Sequence, residues 1–330
     1  MTATKTAPVR TPATSATMQA VAIDRFGPPS VLESRPMPVP KVSPTEVLIA
    51  LHAAEVGIWD AKIRDGTWAE GDERFPLVLG TDGAGVVAAR GARVRRVQVG
   101  DRVWAYAFGN RKGGFYAEYV AVKAEHVGKV PPRLDLLQAG AGAVSGLTAL
   151  QGIDQLRLRH GETVLIFGGS GSVGSLAIQM ARFKGARILA TASGDEATAF
   201  VQELGVAAAI DARQPDAIER LRELAPDGLD AVFATAGGEG LDRLVGLVRS
   251  GGRISYPNGV EPKPQGPRGV RVLHYDAVAN PRRLAELGRV VEEGGVRVPI
   301  AKTYSLAEAA EAHAAVERGH VLGRVALKIR

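Results

Sequence analysis

Residues Ile166 to Gly174 read IFGGSGSVG, and Gly169, Gly171 and Gly174 fall in the spacing G-x-G-x-x-G. An earlier stretch, Pro76 to Ala88, reads PLVLGTDGAGVVA and spells the same pattern with Gly83, Gly85 and Ala88. Glycines alone do not decide between them. A dinucleotide cradle must follow a strand and open a helix, so that free backbone N–H groups and the helix dipole meet the pyrophosphate. The run TVLIF before the second stretch predicts a strand. Leu176, Ile178 and Met180 predict an apolar-periodic helix after it, and Gly185 its stop. The first stretch runs instead into RGARVRRVQVGDRV, turn and strand without helical period. The second is therefore read as the phosphate loop, with Gly169, Ser170, Gly171, Ser172, Val173 and Gly174 as cofactor-binding residues.

Outward from that loop the chain alternates regularly: RILAT, ATAFVQEL, AAAI, AIERLREL, DAVFAT, LDRLVGLV, RISY. Strands alternating with helices of this length imply a doubly wound parallel sheet covered on both faces, a Rossmann-type α/β unit over residues 132–278. Residues 18–131 have a different texture, short β runs such as EVLIALHA, GAGVVAA and AEYVAV between Gly, Pro and charged turns, which predicts a compact barrel-like unit. Past Val278 two helices and a strand are expected. Asn280 and Pro281 suit N-cap and N1, Gly294 and Gly295 a stop, Ser305 with Glu308 a capping box, and Gly319 a second stop. The last strand, RVALKI, has no partner nearby in sequence, so residues 279–330 are expected to rejoin the barrel. Residues 1–17 lack acidic, aromatic and periodic apolar residues and are expected to be a disordered tail.

With 330 residues, 45% hydrophobic and 23% charged, the chain suits one large or two medium folded domains, with no apolar run near the length of a membrane span. A cytoplasmic location is expected. There is no cysteine, which excludes disulfides, thiolate nucleophiles and cysteine-bound metals. The net charge of +6 is small for the length, and the run Arg90, Arg93, Arg95, Arg96 has no interleaved aromatics, so nucleic acid is not an expected partner. The six histidines fall in no ligand-like pair and are read as surface or satisfied core residues.

The ordered set FPLVLGTDGAGVV, VGDRVWAY, GGFYAEYV, SGLTALQGI, the glycine loop and SGGRIS resembles the medium-chain dehydrogenase/reductase superfamily. It is most similar to the zinc-free quinone oxidoreductase branch, and the resemblance covers nearly everything after Met18. It implies a GroES-like β-barrel catalytic domain beside the Rossmann cofactor domain, a homodimer extended through VRVLHY, and a substrate pocket near AEVGIWD. Where zinc-dependent members carry a metal-binding His followed by Glu, this chain has Thr81 and Asp82. Thr81 is no substitute for an imidazole on zinc. The expectation is no metal, with the first glycine stretch serving turns and close packing.

Without zinc, oxidation of a simple alcohol would need a tyrosine of lowered pKa. Tyr119 and Lys123 form Y-x-x-x-K, but on a strand, where four residues span about 13 Å rather than the about 6 Å of a helical pair. Reduction of a quinone or enone asks less, because conjugation spreads the charge and a few donors stabilise it. The resemblance implies a pocket with Gly57, where many relatives carry Asn; Trp59 is read as a stacking face or alternatively a core or interface aromatic, and Tyr106 as a proton donor or alternatively a buried tyrosine with an ordinary partner. Thr148 matches a threonine near the nicotinamide in relatives, and Gly237, after DAVFAT, joins the cofactor set. About 20 residues past the glycine loop an NAD enzyme places an acid on the ribose hydroxyls; here stand Ala192 and Ser193. Ser193 and Arg213 are the candidate ligands of a 2′-phosphate, which favours NADPH, with NADH the weaker alternative because Asp195 lies close. The expected activity is zinc-independent, NADPH-dependent reduction of quinones or α,β-unsaturated carbonyls. The alternatives are an NADPH-binding RNA-binding or redox-sensing protein without turnover, and an enoyl-thioester reductase.

Overall fold

A computed structural model describes residues 16–69, 71 and 74–330. Its elements, in chain order, are β1 (Thr17–Ile23), β2 (Glu33–Pro38), β3 (Glu46–Val56), α1 (Ile58–Arg64), β4 (Leu77–Val78), β5 (Asp82–Arg90), β6 (Arg102–Tyr106), β7 (Tyr119–Lys123) and β8 (Val127–Lys129). Then come α2 (Leu136–Gly140), α3 (Ala143–Leu156), β9 (Thr163–Phe167), α4 (Ser172–Phe183), β10 (Arg187–Thr191), α5 (Asp195–Glu203), β11 (Ala208–Ile210), α6 (Ala217–Leu224), β12 (Leu229–Ala234), α7 (Glu239–Val245), β13 (Val248–Pro257) and β14 (Arg271–Tyr275). The chain closes with α8 (Pro281–Gly294), β15 (Ile300–Ser305), α9 (Ala309–Arg318) and β16 (Arg324–Lys328).

Among the described residues β9 to β14 form a parallel sheet in the order β11-β10-β9-β12-β13-β14. This is a doubly wound α/β sheet whose order reverses between β9 and β12, and a ligand crevice is expected beyond the strand ends at that reversal. Val164, Leu165 and Ile166 of β9 are all fully buried, as a strand covered by helices on both faces requires. α3 and α4 supply part of that cover, with Leu147, Leu150, Leu176 and Ile178 in one apolar core.

The other large sheet runs β15-β16-β3-β5-β6-β8, with β7 also on β3. β7 pairs with Glu46–Ala50 and β16 with Ala53–Val56, so the last strand of the chain completes the same edge of β3 that β7 begins. That is the return expected of RVALKI. β5 lies so close on β3 that a Cβ on Gly83 would press on the Ala53 carbonyl, and one on Gly85 would overlap the Ala50 carbonyl. The first glycine stretch thus packs strand on strand and opens no helix.

Three local expectations change. Thr17, assigned to the tail, begins β1, while residues 1–15 lie outside the described residues. The helix read over LDRLVGLV ends at Val245, because Gly246 caps it and Val248 already belongs to β13. Between the two C-terminal helices lies β15, which pairs parallel to β16; its burial pattern shows only Tyr304 buried, so its sequence carries little of a strand's apolar alternation. The caps are as read. Asn280 Oδ1 accepts from the Arg283 N–H at 2.9 Å, Gly295 takes the left-handed C-cap of α8, and Ser305 with Glu308 closes a capping box.

Candidate active site

The glycine loop leaves β9 at Phe167 and enters α4 at Ser172. Gly168 turns the chain at φ +82°, its N–H donating to Thr191 Oγ1 at 2.8 Å, and the Gly169 N–H donates to the Thr191 carbonyl at 3.0 Å. A Cβ on Gly174 would overlap the Gly168 carbonyl, so this glycine lets α4 sit directly on the loop. Gly171 is the N-cap of α4 without a capping side chain, and a Cβ there would meet only the Gly168 carbonyl, at 3.5 Å. The helix therefore presents its first-turn N–H groups to a cleft of about 1040 Å³.

Ser170, Gly171, Ser193 and Arg213 line this cleft together; Gly169 and Gly174 pack behind it, and Ser172 and Val173 form the first turn of α4. Two other residues are engaged elsewhere. The Thr148 hydroxyl donates back to the Val144 carbonyl at 2.8 Å and its own carbonyl accepts from Tyr275 Oη at 2.6 Å. A Cβ on Gly237 would overlap the Pro262 carbonyl, so Gly237 packs on that loop rather than on the cleft wall.

At the far end of the cleft sits a carboxylate that sequence reading missed. Asp211 Oδ1 accepts from Ser193 Oγ at 3.2 Å and from Arg213 Nε at 3.0 Å, and Oδ2 from Arg213 Nη2 at 2.9 Å. Arg213 chiefly holds the Asp211 carboxyl down to about 2. The pair fixes Ser193 beside Arg213 and leaves Nη1 of Arg213 without a hydrogen-bond partner among the described residues. Asp211 stands two residues before Arg213, an Asx-turn spacing that could have pointed to it. Arg243 lines the same end, its Nη2 donating to the Pro215 carbonyl at 3.1 Å; it lies on α7 and no local pattern reveals it.

Toward the β3 sheet, Trp59 folds back over Gly57. A Cβ on Gly57 would overlap the indole, whose Nε1 donates to Thr81 Oγ1 at 2.8 Å. Sequence reading treated Gly57 as a missing contact, whereas its bareness is what admits the ring. Around this pair lie three wholly buried carboxyls. Asp60 Oδ2 accepts from the Gly57 N–H at 2.9 Å, Asp82 Oδ2 from the Val144 N–H at 2.9 Å, and Glu55 Oε1 from Ser145 Oγ at 2.6 Å. Burial pushes Asp60 up to about 8, Glu55 up to about 7 and Asp82 well above the carboxylate range. One guanidinium faces them, that of Arg324, with Nε 3.9 Å from Glu55 Oε1. Tyr106 is the cross-strand partner of Asp82 and is half-buried; burial, then Asp82, Asp276 and Asp60, raises its hydroxyl above the ordinary tyrosine value. Among the described residues no three His, Cys, Asp or Glu side chains are disposed to hold a metal ion.

Arg324 also joins the two regions. Its Nη2 donates to the Ser172 carbonyl and its Nη1 to Ser175 Oγ at 3.3 Å, while the Gly323 N–H donates to the Ser170 carbonyl at 2.9 Å.

Residues 43–132 match the alcohol dehydrogenase GroES-like domain and residues 204–327 a family described as zinc-binding dehydrogenase. A human quinone oxidoreductase is 31% identical over 318 residues, covering 92% of this chain and 94% of its own length. The chain belongs to the medium-chain dehydrogenase/reductase superfamily. The fold is accordingly a GroES-like β unit joined to a Rossmann-type parallel sheet, and the activity class is oxidoreductase. Relatives within the superfamily differ in name. An Arabidopsis thaliana protein 30% identical over 296 residues, spanning 87% of this chain and 73% of that one, is an NADPH-dependent alkenal/one oxidoreductase. A solved NAD-dependent alcohol dehydrogenase, 30% identical, superposes with a TM-score of 0.88 over 95% of this chain and all of its own.

The buried carboxyls set a pH dependence of stability. Their folded pKa values lie above the unfolded ones, so their favourable contribution is complete below about pH 4 and is lost as pH rises through about 7 to 8. Buried His313, pushed down to about 3 by burial and then by Arg64, acts oppositely, costing stability as pH falls below about 6.5. Asp60→Asn keeps the acceptor for the Gly57 N–H and removes one titration. Urea unfolding of wild type and Asp60→Asn at pH 5.5 and 8.5 should show the variant gaining relative stability at the higher pH. A constant difference would mean that Asp60 stays ionised throughout.

Proposed function

We propose that the protein is a zinc-independent, NADPH-dependent reductase of quinones or α,β-unsaturated carbonyls. The observation that carries this reading is the Trp59 indole seated on Gly57 and bonded to Thr81. The positions nearest the buried acids offer an apolar ring, a bare backbone and an engaged hydroxyl, with no thiolate or imidazole among them, and this donor set does not fit zinc. A flat aromatic face suits a flat conjugated substrate.

The cleft fits a dinucleotide. The uncapped N-terminus of α4 and Gly171 would take the pyrophosphate, and Ser193 with the free Nη1 of Arg213 the 2′-phosphate. A bound dihydronicotinamide supplies hydride. On the protein side, Trp59 orients the conjugated ring, and Tyr106, which keeps its proton at neutral pH, gives that proton to the substrate oxygen as charge develops there. Burial of Glu55, Asp60 and Asp82 keeps negative charge away from an acceptor that becomes anionic. Residues 18–131 and 279–330 form the substrate unit in this reading and 132–278 the cofactor unit. A second copy would pair along β14, the outer strand of the parallel sheet. Among the described residues no helix is long and apolar enough to cross a membrane.

NADPH consumption should be measured with a panel of ortho- and para-quinones and enones, beside oxidation of ethanol and propanol with NADP⁺ and NAD⁺. Turnover of the conjugated carbonyls, unchanged by a zinc chelator, is expected; robust alcohol oxidation or chelator-sensitive activity would sink the reading. In the same assay Tyr106→Phe should slow reduction by roughly ten- to a hundredfold, a modest share of a general-acid contribution. An unchanged rate would pass the proton-donor role to water.

Arg213→Ala should cost NADPH about tenfold or more in affinity while NADH binding barely changes. Calorimetric titration of both cofactors decides it. Equal losses would mean that Arg213 reads another part of the ligand, and tighter NADH binding by wild type would reverse the cofactor preference.

A further inference from the structure

We propose that His320 binds the dinucleotide's pyrophosphate, supplying from the C-terminal segment a ring N–H donor opposite the glycine loop. The inference rests on the dinucleotide reading above and adds a contact that the glycine pattern does not contain.

His320 lines the cleft with Ser170 and Gly171. It is exposed, and no described residue hydrogen-bonds its ring. Its backbone stands at φ +57°; among the described residues one other non-glycine, Arg157, has positive φ, and that residue is the C-cap of α3. His320 caps nothing. A non-glycine residue kept in the left-handed region is strained, and such outliers gather at ligand sites.

The segment is also pinned. Gly319 and Gly323 turn the chain at φ +73° and +96°, and the Gly323 N–H holds the Ser170 carbonyl at 2.9 Å. Three residues of chain reach roughly 10 Å at most, so His320 is tethered within that distance of the Gly323–Ser170 contact, on the cleft it lines with Ser170 and Gly171. Other cations near the cleft are engaged or distant from this end. Arg324 is buried against Ser172 and Glu55, Arg213 is paired to Asp211, and Arg243 is bonded to the Gln214 and Pro215 carbonyls. Asp195, Glu196 and Glu239 also line the cleft, so an anion needs a donor placed on its own side of it.

The pyrophosphate is common to NADPH, NADH and ADP-ribose, which separates this contact from that of Arg213. His320→Gly removes the ring and suits the positive φ, and His320→Lys restores an N–H donor. Calorimetric titration of the full-length protein should show His320→Gly weakening all three ligands by a similar factor, about fivefold or more, and His320→Lys recovering most of it. Wild type and His320→Gly that bind all three within twofold of each other would overturn the proposal, as would a loss confined to NADPH or no recovery with lysine. A wild type that binds none of the three would overturn the dinucleotide reading itself.

Discussion

The buried guanidinium of Arg324 is the constraint on which the two halves of the molecule depend. It comes from the last strand, lies almost out of reach of solvent, and meets Glu55 on one side and the first turn of α4 on the other. Such a charge is tolerated in an apolar interior only where its donors are met, and removing one partner leaves the other stranded at a cost of several kcal/mol. The first turn of α4 is therefore tied to the buried acids around Trp59 by a single side chain.

Three buried carboxyls facing one guanidinium will not all be ionised at neutral pH, and the upward shifts of Glu55, Asp60 and Asp82 express that balance. Each also fixes backbone or a hydroxyl: Asp60 the start of α1, Asp82 the start of α3, Glu55 the hydroxyl of Ser145. The acids thus position the frame around Trp59 while Asp60 and Asp82 stay largely protonated at neutral pH. A second buried network, Tyr116 to His313 to Arg64 to Glu317, ties α1 to α9 behind that frame.

What could be read from the residues was what local chemistry decides. The parallel sheet, the loop that opens α4, and the caps at Asn280, Ser305 and Gly319 depend on neighbours within a few positions. The return of RVALKI followed from its lack of a partner. β15 was invisible because IAKTYS packs one face at Tyr304 and exposes most of the rest. What fills the space beside Gly57 was not legible, because it is the indole two residues away, held by Thr81, 22 residues further on. The pairing of Ser193 and Arg213 through Asp211, and the place of Arg324 and His320, arise from contacts between distant segments. Periodicity carries no trace of these.

The shared edge of β3 bears on how the chain comes together during synthesis. The strands of the parallel sheet are all made by Tyr275, so that half can pack as it leaves the ribosome. The other half cannot close. Residues Ala53–Val56 wait for β16, made more than 260 residues later, and Glu55 waits with them for the Arg324 guanidinium. A nascent chain thus carries an open strand edge and an uncompensated acid until Arg324–Lys328 has been made, and a truncation before Arg324 would leave both without their partners.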